Sequence, residues 1–262
     1  MAKRILVTLL DQTATSKTYG YGTDFASAYR HLRTNLEFSS FSSEIKVISV
    51  ASANPQEGKS TVASNLAIVM AGQYKKVLIV DCDLRKPVIH KLFHASNKYG
   101  LSNLLMEQNF DPIYISKYYQ QILHPNIANE LYVISSGPSV PNPSEMLSSK
   151  KFVNLIQYLR EAFDIIILDG PPVLPVPDSI PIGLAADGTL FVVASEHTQR
   201  EQAKIAVTQL KRSQVNVLGT VLTMLHEDKS HYNYNYYHND RNEIEILKKR
   251  NFFDLFKSEK KQ

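Results

Sequence analysis

The sequence of 262 residues lacks the features that mark secreted, disulfide-bonded or membrane-spanning proteins. Cys82 is the single cysteine, so no disulfide can form within the chain and a reducing compartment is allowed. Apolar runs such as Val47–Ala51 and Ile165–Leu168 are much shorter than the ~20 residues needed to cross a bilayer. Near the start, Arg4 and Asp11 enclose an apolar stretch that is too short for a signal peptide. These absences predict a cytoplasmic protein.

The excess of positive over negative charge is small, and one type of aromatic residue is missing altogether. The formal net charge of +4 favours solubility and does not indicate nucleic-acid binding. Tryptophan is absent, whereas tyrosine occurs 14 times. Tyr232, Tyr234, Tyr236 and Tyr237 fall in one short polar segment that has no core-forming period. Such a segment cannot bury its aromatic residues, so we expect a flexible tail whose tyrosines serve another purpose.

Short apolar strands alternate with amphipathic helices along most of the chain. This alternation predicts an α/β fold with a doubly wound, mainly parallel sheet that is flanked by helices. We expect an N-terminal arm over 1–23, one domain over 24–225, the tyrosine-rich tail over 226–240 and a basic extension over 241–262. The predicted strands are 46–52, 76–81, 131–135, 165–169, 189–195 and 217–223, and the predicted helices are 24–38, 60–73, 87–93, 101–106, 143–163 and 199–213.

Residues 53–61, Ala-Asn-Pro-Gln-Glu-Gly-Lys-Ser-Thr, fit a phosphate-binding P-loop, except that the first glycine is replaced by Ala53. An apolar strand precedes this loop and an apolar-periodic helix follows it, as the motif requires. Gly58 lets the backbone approach a phosphate chain, Lys59 reaches the phosphates, and Ser60 carries the hydroxyl that Mg²⁺ needs. The predicted nucleotide-binding residues are Glu57, Gly58, Lys59, Ser60 and Thr61.

Three aspartates follow two fully apolar strands. Asp81 and Asp83 end the strand at 76–81, and Asp169 ends the strand at 165–169. Parallel sheets bind ligands at the carboxyl ends of their strands, so these acids should lie beside the P-loop. One or two carboxylates suffice to hold Mg²⁺ against nucleotide phosphates, and another can accept a proton from an attacking hydroxyl. We predict a catalytic set of Lys59, Asp81, Asp83 and Asp169 and a metal site of Ser60, Asp81 and Asp169.

The motifs together resemble those of the bacterial tyrosine kinases (BY-kinases) of capsule and exopolysaccharide synthesis, which are relatives of the deviant P-loop ATPases. The resemblance runs from about Phe25 to Tyr237. The segments that carry it are Pro55–Thr61, Val80–Pro87, Gly137–Leu147, Asp169–Asp178, Tyr29–Leu36 and the tyrosine cluster at 232–237.

The resemblance implies an ATP- and Mg²⁺-dependent kinase that phosphorylates Tyr232, Tyr234, Tyr236 and Tyr237 in trans. Whether Asp81 or Asp83 accepts the phenolic proton stays open. The implied partners are a membrane-embedded chain-length regulator, which recruits the kinase to the inner face of the membrane, and a cognate tyrosine phosphatase.

The resemblance also implies a homo-oligomer, a ring in this family, with Arg30 and Arg33 at the subunit interface. In the family, the segment that contains these arginines begins with a glutamate, where this chain has Ser27. The sequence therefore does not decide whether the subunits form a ring.

Two other functions are compatible with the same fold. The first is a ParA/MinD-like ATPase that acts as a nucleotide-driven dimer switch. That group places a second lysine near the start of the P-loop, where this chain has Asn54. The second is a nucleotide-responsive scaffold without kinase activity.

Overall fold

The computed structural model describes residues 25–39, 44–107, 112–125, 127–195 and 197–224. The chain divides into two units, Met1–Leu225 and His226–Gln262, and the described residues belong to the first. The predicted arm over 1–23, the tail over 226–240 and the extension over 241–262 lie outside the described residues. The domain boundaries therefore stay predictions.

The helices and strands alternate as the sequence predicts. In chain order they are α1 (Phe25–Ser39), β1 (Val47–Ser52), α2 (Lys59–Met70), β2 (Lys76–Asp81), α3 (Ile89–Leu92), α4 (Leu101–Met106), α5 (Pro112–Ser116), β3 (Gln120–Gln121), β4 (Glu130–Ile134), α6 (Pro143–Leu147), α7 (Lys150–Ala162), β5 (Ile165–Asp169), α8 (Ser179–Ala185), β6 (Gly188–Ala194), α9 (Arg200–Arg212) and β7 (Val217–Thr223). In the part of the chain that is described, no helix has the length and apolar character needed to span a bilayer.

The strands form one sheet in the order β3-β4-β2-β5-β1-β6-β7. Every neighbouring pair is parallel except β3 and β4, which are antiparallel. The prediction of a doubly wound, mainly parallel sheet is therefore confirmed. Because the parallel strands end at one edge, the loops that follow β1, β2 and β5 are brought together there.

The central strands are buried and mostly apolar because helices cover both faces of the sheet. In β2, Val77 and Ile79 belong to the core on one face, together with α1 and α2. The alternate residues Leu78 and Val80 belong to the core on the other face, with α4 and α7. This alternation follows from the two-residue period of a strand and fixes the register of the sheet.

Helix α2 is buried almost completely, from Lys59 to Met70, with Thr61 more accessible. One of its faces packs on the sheet, and the amphipathic helix α1 covers another through residues such as Tyr29 and Leu36. A helix this apolar needs cover on more than one side. The helix that begins at the P-loop is therefore held firmly in place.

The prediction of one long helix over 143–163 was wrong. The structure has two helices, α6 and α7, separated at Ser148 and Ser149. Ser149 caps α7, because its hydroxyl accepts a hydrogen bond from the N–H of Phe152 at 3.3 Å. A serine side chain in this position replaces a missing intrahelical bond and so starts a new helix. The short elements α5, β3 and α8 were not predicted.

Candidate active site

The carboxyl edge of the sheet gathers the residues that the sequence analysis selected. Asp81 at the end of β2 is directly paired in register with Asp169 at the end of β5. Asp169 is paired in turn with Val50 of β1, the strand that leads into the P-loop. The two acids therefore stand side by side, Asp169 one strand and Asp81 two strands from β1, which places all three motifs at one edge of the sheet.

The P-loop joins β1 to the first turn of α2. Gly58 adopts a left-handed conformation with φ 91°, and a Cβ at this position would approach the Thr223 hydroxyl to 3.3 Å. Glycine is favoured here for both reasons. Gln56 is also left-handed, with φ 66°. Lys59, Ser60 and Thr61 form the first turn of α2, which has no side-chain cap, so its N–H groups remain available to an anion.

The side chain of Glu57 is buried and bonds within the protein. Its carboxylate accepts hydrogen bonds from the Asn54 N–H at 2.9 Å and from the Thr198 hydroxyl at 2.7 Å. Its carbonyl accepts a bond from the Thr223 hydroxyl at 2.7 Å. Only its backbone N–H is then left for a phosphate group. The side chain ties the P-loop to the loop before α9, which the sequence did not reveal, because Thr198 lies 141 residues away along the chain.

Asp169 is the acid nearest to Lys59. The Lys59 Nζ atom lies 3.8 Å from Oδ1 of Asp169, which is fully buried. Within the described part of the chain, neither carboxylate oxygen of Asp169 has a hydrogen-bond partner that meets normal geometric limits. Burial raises the pKa of Asp169, while the nearby Lys59 ammonium and Ser60 hydroxyl lower it. The net pKa lies above that of an exposed aspartate. Buried carboxylate oxygens without partners are the groups that a cation would satisfy.

Asp81 is fully buried and organises the loop that follows β2. One of its oxygens accepts hydrogen bonds from the N–H groups of Val88 at 3.1 Å and Ile89 at 3.0 Å. The other accepts one from the N–H of Asp83 at 3.2 Å. Burial, and next the negative charge of Asp169, raise the pKa of Asp81 well above its usual range. The cost of holding two neighbouring carboxylates in this environment indicates that the edge is built for a cationic or proton-bearing ligand.

Asp83 lies on the same loop and is nearly buried. Its Oδ1 accepts hydrogen bonds from the N–H groups of Arg85 at 3.2 Å and Lys86 at 2.9 Å. Its charge acts on both Asp81 and Asp169. The structure thus brings together all three predicted acids and Lys59.

The donors at this edge fit a hard divalent cation bound together with a nucleotide. The described residues contain no group of three or more His, Cys, Asp or Glu side chains arranged to hold a metal by themselves. Mg²⁺ does not require one, because it usually keeps several waters and takes one or two carboxylates plus phosphate oxygens. Asp169, whose oxygens accept no hydrogen bond of normal geometry from the described residues, and the Ser60 hydroxyl beside it could supply such ligands.

The two predicted interface arginines differ in their surroundings. Arg33 donates from Nη1 to the carbonyl of Val69 at 2.8 Å, and its Nε lies 3.7 Å from Glu37. It therefore ties α1 to the last turn of α2 within one chain. Arg30 is exposed on α1. The predicted phosphorylation sites Tyr232, Tyr234, Tyr236 and Tyr237 lie outside the described residues.

Comparison with known proteins agrees with this geometry. The sequence matches the AAA domain family over residues 45–220. It is 40% identical over 209 residues to the tyrosine-protein kinase YwqD of Bacillus subtilis, covering 80% of this chain and 84% of that protein. The kinase domain of the Escherichia coli tyrosine kinase ETK superposes with a TM-score of 0.71 at 29% identity, covering 82% of this chain and 80% of that one.

The fold itself extends to a more distant protein. The septum site-determining protein MinD of Pyrococcus horikoshii, solved in complex with Mg-ADP, superposes with a TM-score of 0.55 at 21% identity, covering 68% of this chain and 69% of that one. This likeness confirms the P-loop ATPase fold. The family follows from the 40% identity to the kinase YwqD over most of both chains: the chain belongs to the bacterial tyrosine-protein kinases, an enzyme family built on that fold.

Proposed function

We propose that the chain binds ATP with Mg²⁺ and transfers the γ-phosphoryl group to the tyrosines of its own C-terminal cluster, in another copy of the chain. The observation that carries this proposal is the buried Asp169 carboxylate, which lies 3.8 Å from the Lys59 ammonium at the start of α2 and accepts no hydrogen bond of normal geometry from the described residues. The tyrosine-kinase relatives supply the reaction class.

In this proposal the P-loop backbone and Lys59 bind the phosphate chain, while Ser60 and Asp169 hold the cation. Mg²⁺ bound there would neutralise charge on the phosphate oxygens. The acceptor phenol oxygen forms a bond to the γ-phosphorus, the bond from that phosphorus to the ADP oxygen breaks, and the phenolic proton passes to a carboxylate. Asp81 and Asp83 are the two candidates. Asp81 is fully buried and accepts three backbone hydrogen bonds, whereas Asp83 lies nearer the surface.

Phosphate mapping tests this function. Purified chain is incubated with Mg-ATP, with and without the cytosolic segment of its regulator, and phosphate is located by mass spectrometry. We expect phosphate on Tyr232, Tyr234, Tyr236 and Tyr237, and its loss in Lys59→Met. Lys204→Met is the matched control, since Lys204 is a surface lysine on α9 that pairs locally with Glu201. ATP turnover without phosphotyrosine would instead support the nucleotide-switch function.

The oligomer and its control form the second part of the proposal. Each phosphotyrosine adds about −1.5 to −2 charges at pH 7, and several of them in one tail repel each other. Phosphorylation should therefore loosen an assembly in which the tail of one subunit enters the site of the next. Sedimentation of the phosphorylated and dephosphorylated chains measures this effect, and identical assembly states would end the idea. Arg30→Glu should weaken the same assembly, because Arg30 is exposed on α1.

The resemblance to the BY-kinases also suggests where the chain acts in the cell. We infer that a membrane-embedded regulator of polysaccharide chain length recruits the kinase to the inner face of the membrane. A cognate tyrosine phosphatase would reverse the modification, and the cycle would control capsular or exopolysaccharide synthesis and export. Co-purification of the chain with the regulator, and loss of polymer in a Lys59→Met strain, are the expected results.

A further inference from the structure

Three segments that the proposed chemistry leaves unused meet beside Asp83. Arg85 follows β2, Ser144 lies in α6, and Asp178 immediately precedes α8. The Arg85 guanidinium donates from Nε to Asp178 at 2.8 Å, and from Nη2 to Ser144 at 2.9 Å and to Asp178 at 3.4 Å. The Ser144 hydroxyl also donates to Asp178. We call these three residues the arginine triad.

The triad is asymmetric in burial. The Asp178 side chain is 1% exposed, whereas that of Arg85 is 39% exposed. A buried carboxylate is costly unless a cation is held against it, so Asp178 fixes one edge of the guanidinium in place. The hydrogen bond from Arg85 to Asp178 raises the pKa of the guanidinium further, so Arg85 stays cationic. Asp178 and Ser144 thus act as positioning residues for a half-exposed cation.

The remaining donors of Arg85 are free to bind a ligand. A guanidinium has five N–H groups. The Nε–H and the two Nη2 hydrogens account for the bonds to Asp178 and Ser144. The two N–H groups on Nη1 have no partner among the described residues, and the next residue in the sequence, Lys86, is also an exposed cation. A guanidinium held on one edge and open on the other is preorganised to bind a carboxylate.

We propose that the arginine triad is the docking point for an acidic side chain of the tyrosine peptide that accepts the phosphate. The proposal rests on the proposed function and names the substrate class for the same site. In this sequence, Glu227 and Asp228 precede Tyr232 by five and four residues. Extended segments of that length span roughly 13–18 Å, so the acid and the phenol can occupy neighbouring positions on the enzyme.

Peptide binding tests the proposal without requiring phosphate transfer. A fluorescent peptide of residues 225–240 is titrated, in the presence of Mg²⁺ and a non-hydrolysable ATP analogue, into the full chain and its Arg85→Lys variant. Both proteins carry Glu227→Gln and Asp228→Asn so that their own tails do not compete. Lysine keeps a positive charge against Asp178 but lacks the planar set of N–H donors with which a guanidinium binds a carboxylate. We therefore expect about tenfold weaker peptide binding and unchanged affinity for the nucleotide analogue.

Two controls separate docking from a general structural effect. Arg160→Lys makes the same change in an arginine–carboxylate pair with Asp187, at the opposite edge of the sheet, and should leave peptide affinity unchanged. A neutral peptide, with the substitutions Glu227→Gln and Asp228→Asn, should bind the reference chain about tenfold more weakly. It should also not discriminate between the reference chain and Arg85→Lys.

Three results of the peptide titration would refute the docking role of Arg85. Equal affinity of the reference chain and Arg85→Lys for the acidic peptide overturns the proposal, as does a loss that persists with the neutral peptide. Absence of measurable peptide binding by the reference chain overturns it as well. Transfer of phosphate to the peptide is measured separately, so a kinase that transfers phosphate but ignores Arg85 refutes the docking role alone.

Discussion

The aspartates at the two edges of the central sheet have pKa values shifted in opposite directions. At the amino edge, Asp187 precedes β6 and accepts hydrogen bonds from the N–H groups of Lys46 at 2.8 Å and Val47 at 2.7 Å. Arg160 donates to the same carboxylate. Burial raises the pKa of Asp187, but the Arg160 and backbone bonds lower it more, so its net pKa lies below the usual range.

At the carboxyl edge the balance is reversed. Burial raises the pKa of Asp169 and Asp81, and each feels the charge of other acids at the site. Both oxygens of Asp169 lack a hydrogen-bond partner in the described chain. The amino-edge carboxylate is therefore fully compensated within the protein, whereas Lys59, Ser60 and backbone N–H groups compensate the carboxyl-edge acids only in part. We conclude that the fold keeps its electrostatic strain where the proposed metal and nucleotide bind.

The largest expected effect is on catalysis. Asp169→Asn removes the carboxylate that we assign to the cation, so phosphate transfer to the tail should fall by about 10³-fold or more. Asp187→Asn makes the same chemical change at the amino edge and should keep more than half of the activity. The measurement is the initial rate of phosphotyrosine formation. Equal losses in the two variants would remove the functional distinction between the edges.

The next largest effect is on stability, where we expect Asp187→Asn to be more harmful than Asp169→Asn. Asp187→Asn weakens charge-assisted bonds to Arg160 and two backbone N–H groups, so the free energy of unfolding should drop by about 1–2 kcal/mol. Asp169→Asn should leave the ligand-free chain about as stable as before, because the lost desolvation cost and repulsion from the neighbouring acids offset the lost attraction to Lys59. Urea unfolding at pH 7 checks both values. A larger loss in Asp169→Asn contradicts the comparison.

A smaller effect should appear in the pH dependence. Because the folded pKa of Asp169 is raised, the unfolded chain releases its proton first as the pH rises above about 4. The ligand-free protein should therefore lose stability between that pH and the raised folded pKa, with no further change above it. Asp187 has a lowered pKa, so its contribution is present above pH ~4 and is lost only as the pH falls through its folded pKa.

Urea unfolding between pH 4.5 and 8 separates these contributions. Asp169→Asn should flatten the fall in stability by at most about 1.4 kcal/mol per pH unit. Asp187→Asn should shift the curve without changing its slope in this range. Parallel curves for the parent chain and Asp169→Asn would show that this carboxyl does not titrate as its burial implies.

The same contrast explains what the sequence could predict. The apolar strands that end in Asp81 and Asp169, and the Gly-Lys-Ser turn, are local patterns, and each was placed correctly by the parallel-sheet rule. The hydrogen bonds from Lys46 and Val47 to Asp187, and the bond between Thr198 and Glu57, join residues 140 or more positions apart, so no local pattern reveals them. The break at Ser149 was missed because no glycine or proline marks it: only two serines and two lysines separate Leu147 from Phe152.

The Mg²⁺-dependent gain in stability on ADP binding tests whether Asp169 holds the cation. Unfolding of the parent chain and of Asp169→Asn is followed with saturating ADP, once with Mg²⁺ and once with a chelator. A ligand at 100 times its Kd adds about 2.7 kcal/mol. We predict that Mg²⁺ increases the ADP-induced gain in the parent chain and adds nothing in Asp169→Asn. A full Mg²⁺-dependent gain in Asp169→Asn would contradict the assignment of this carboxylate to the metal.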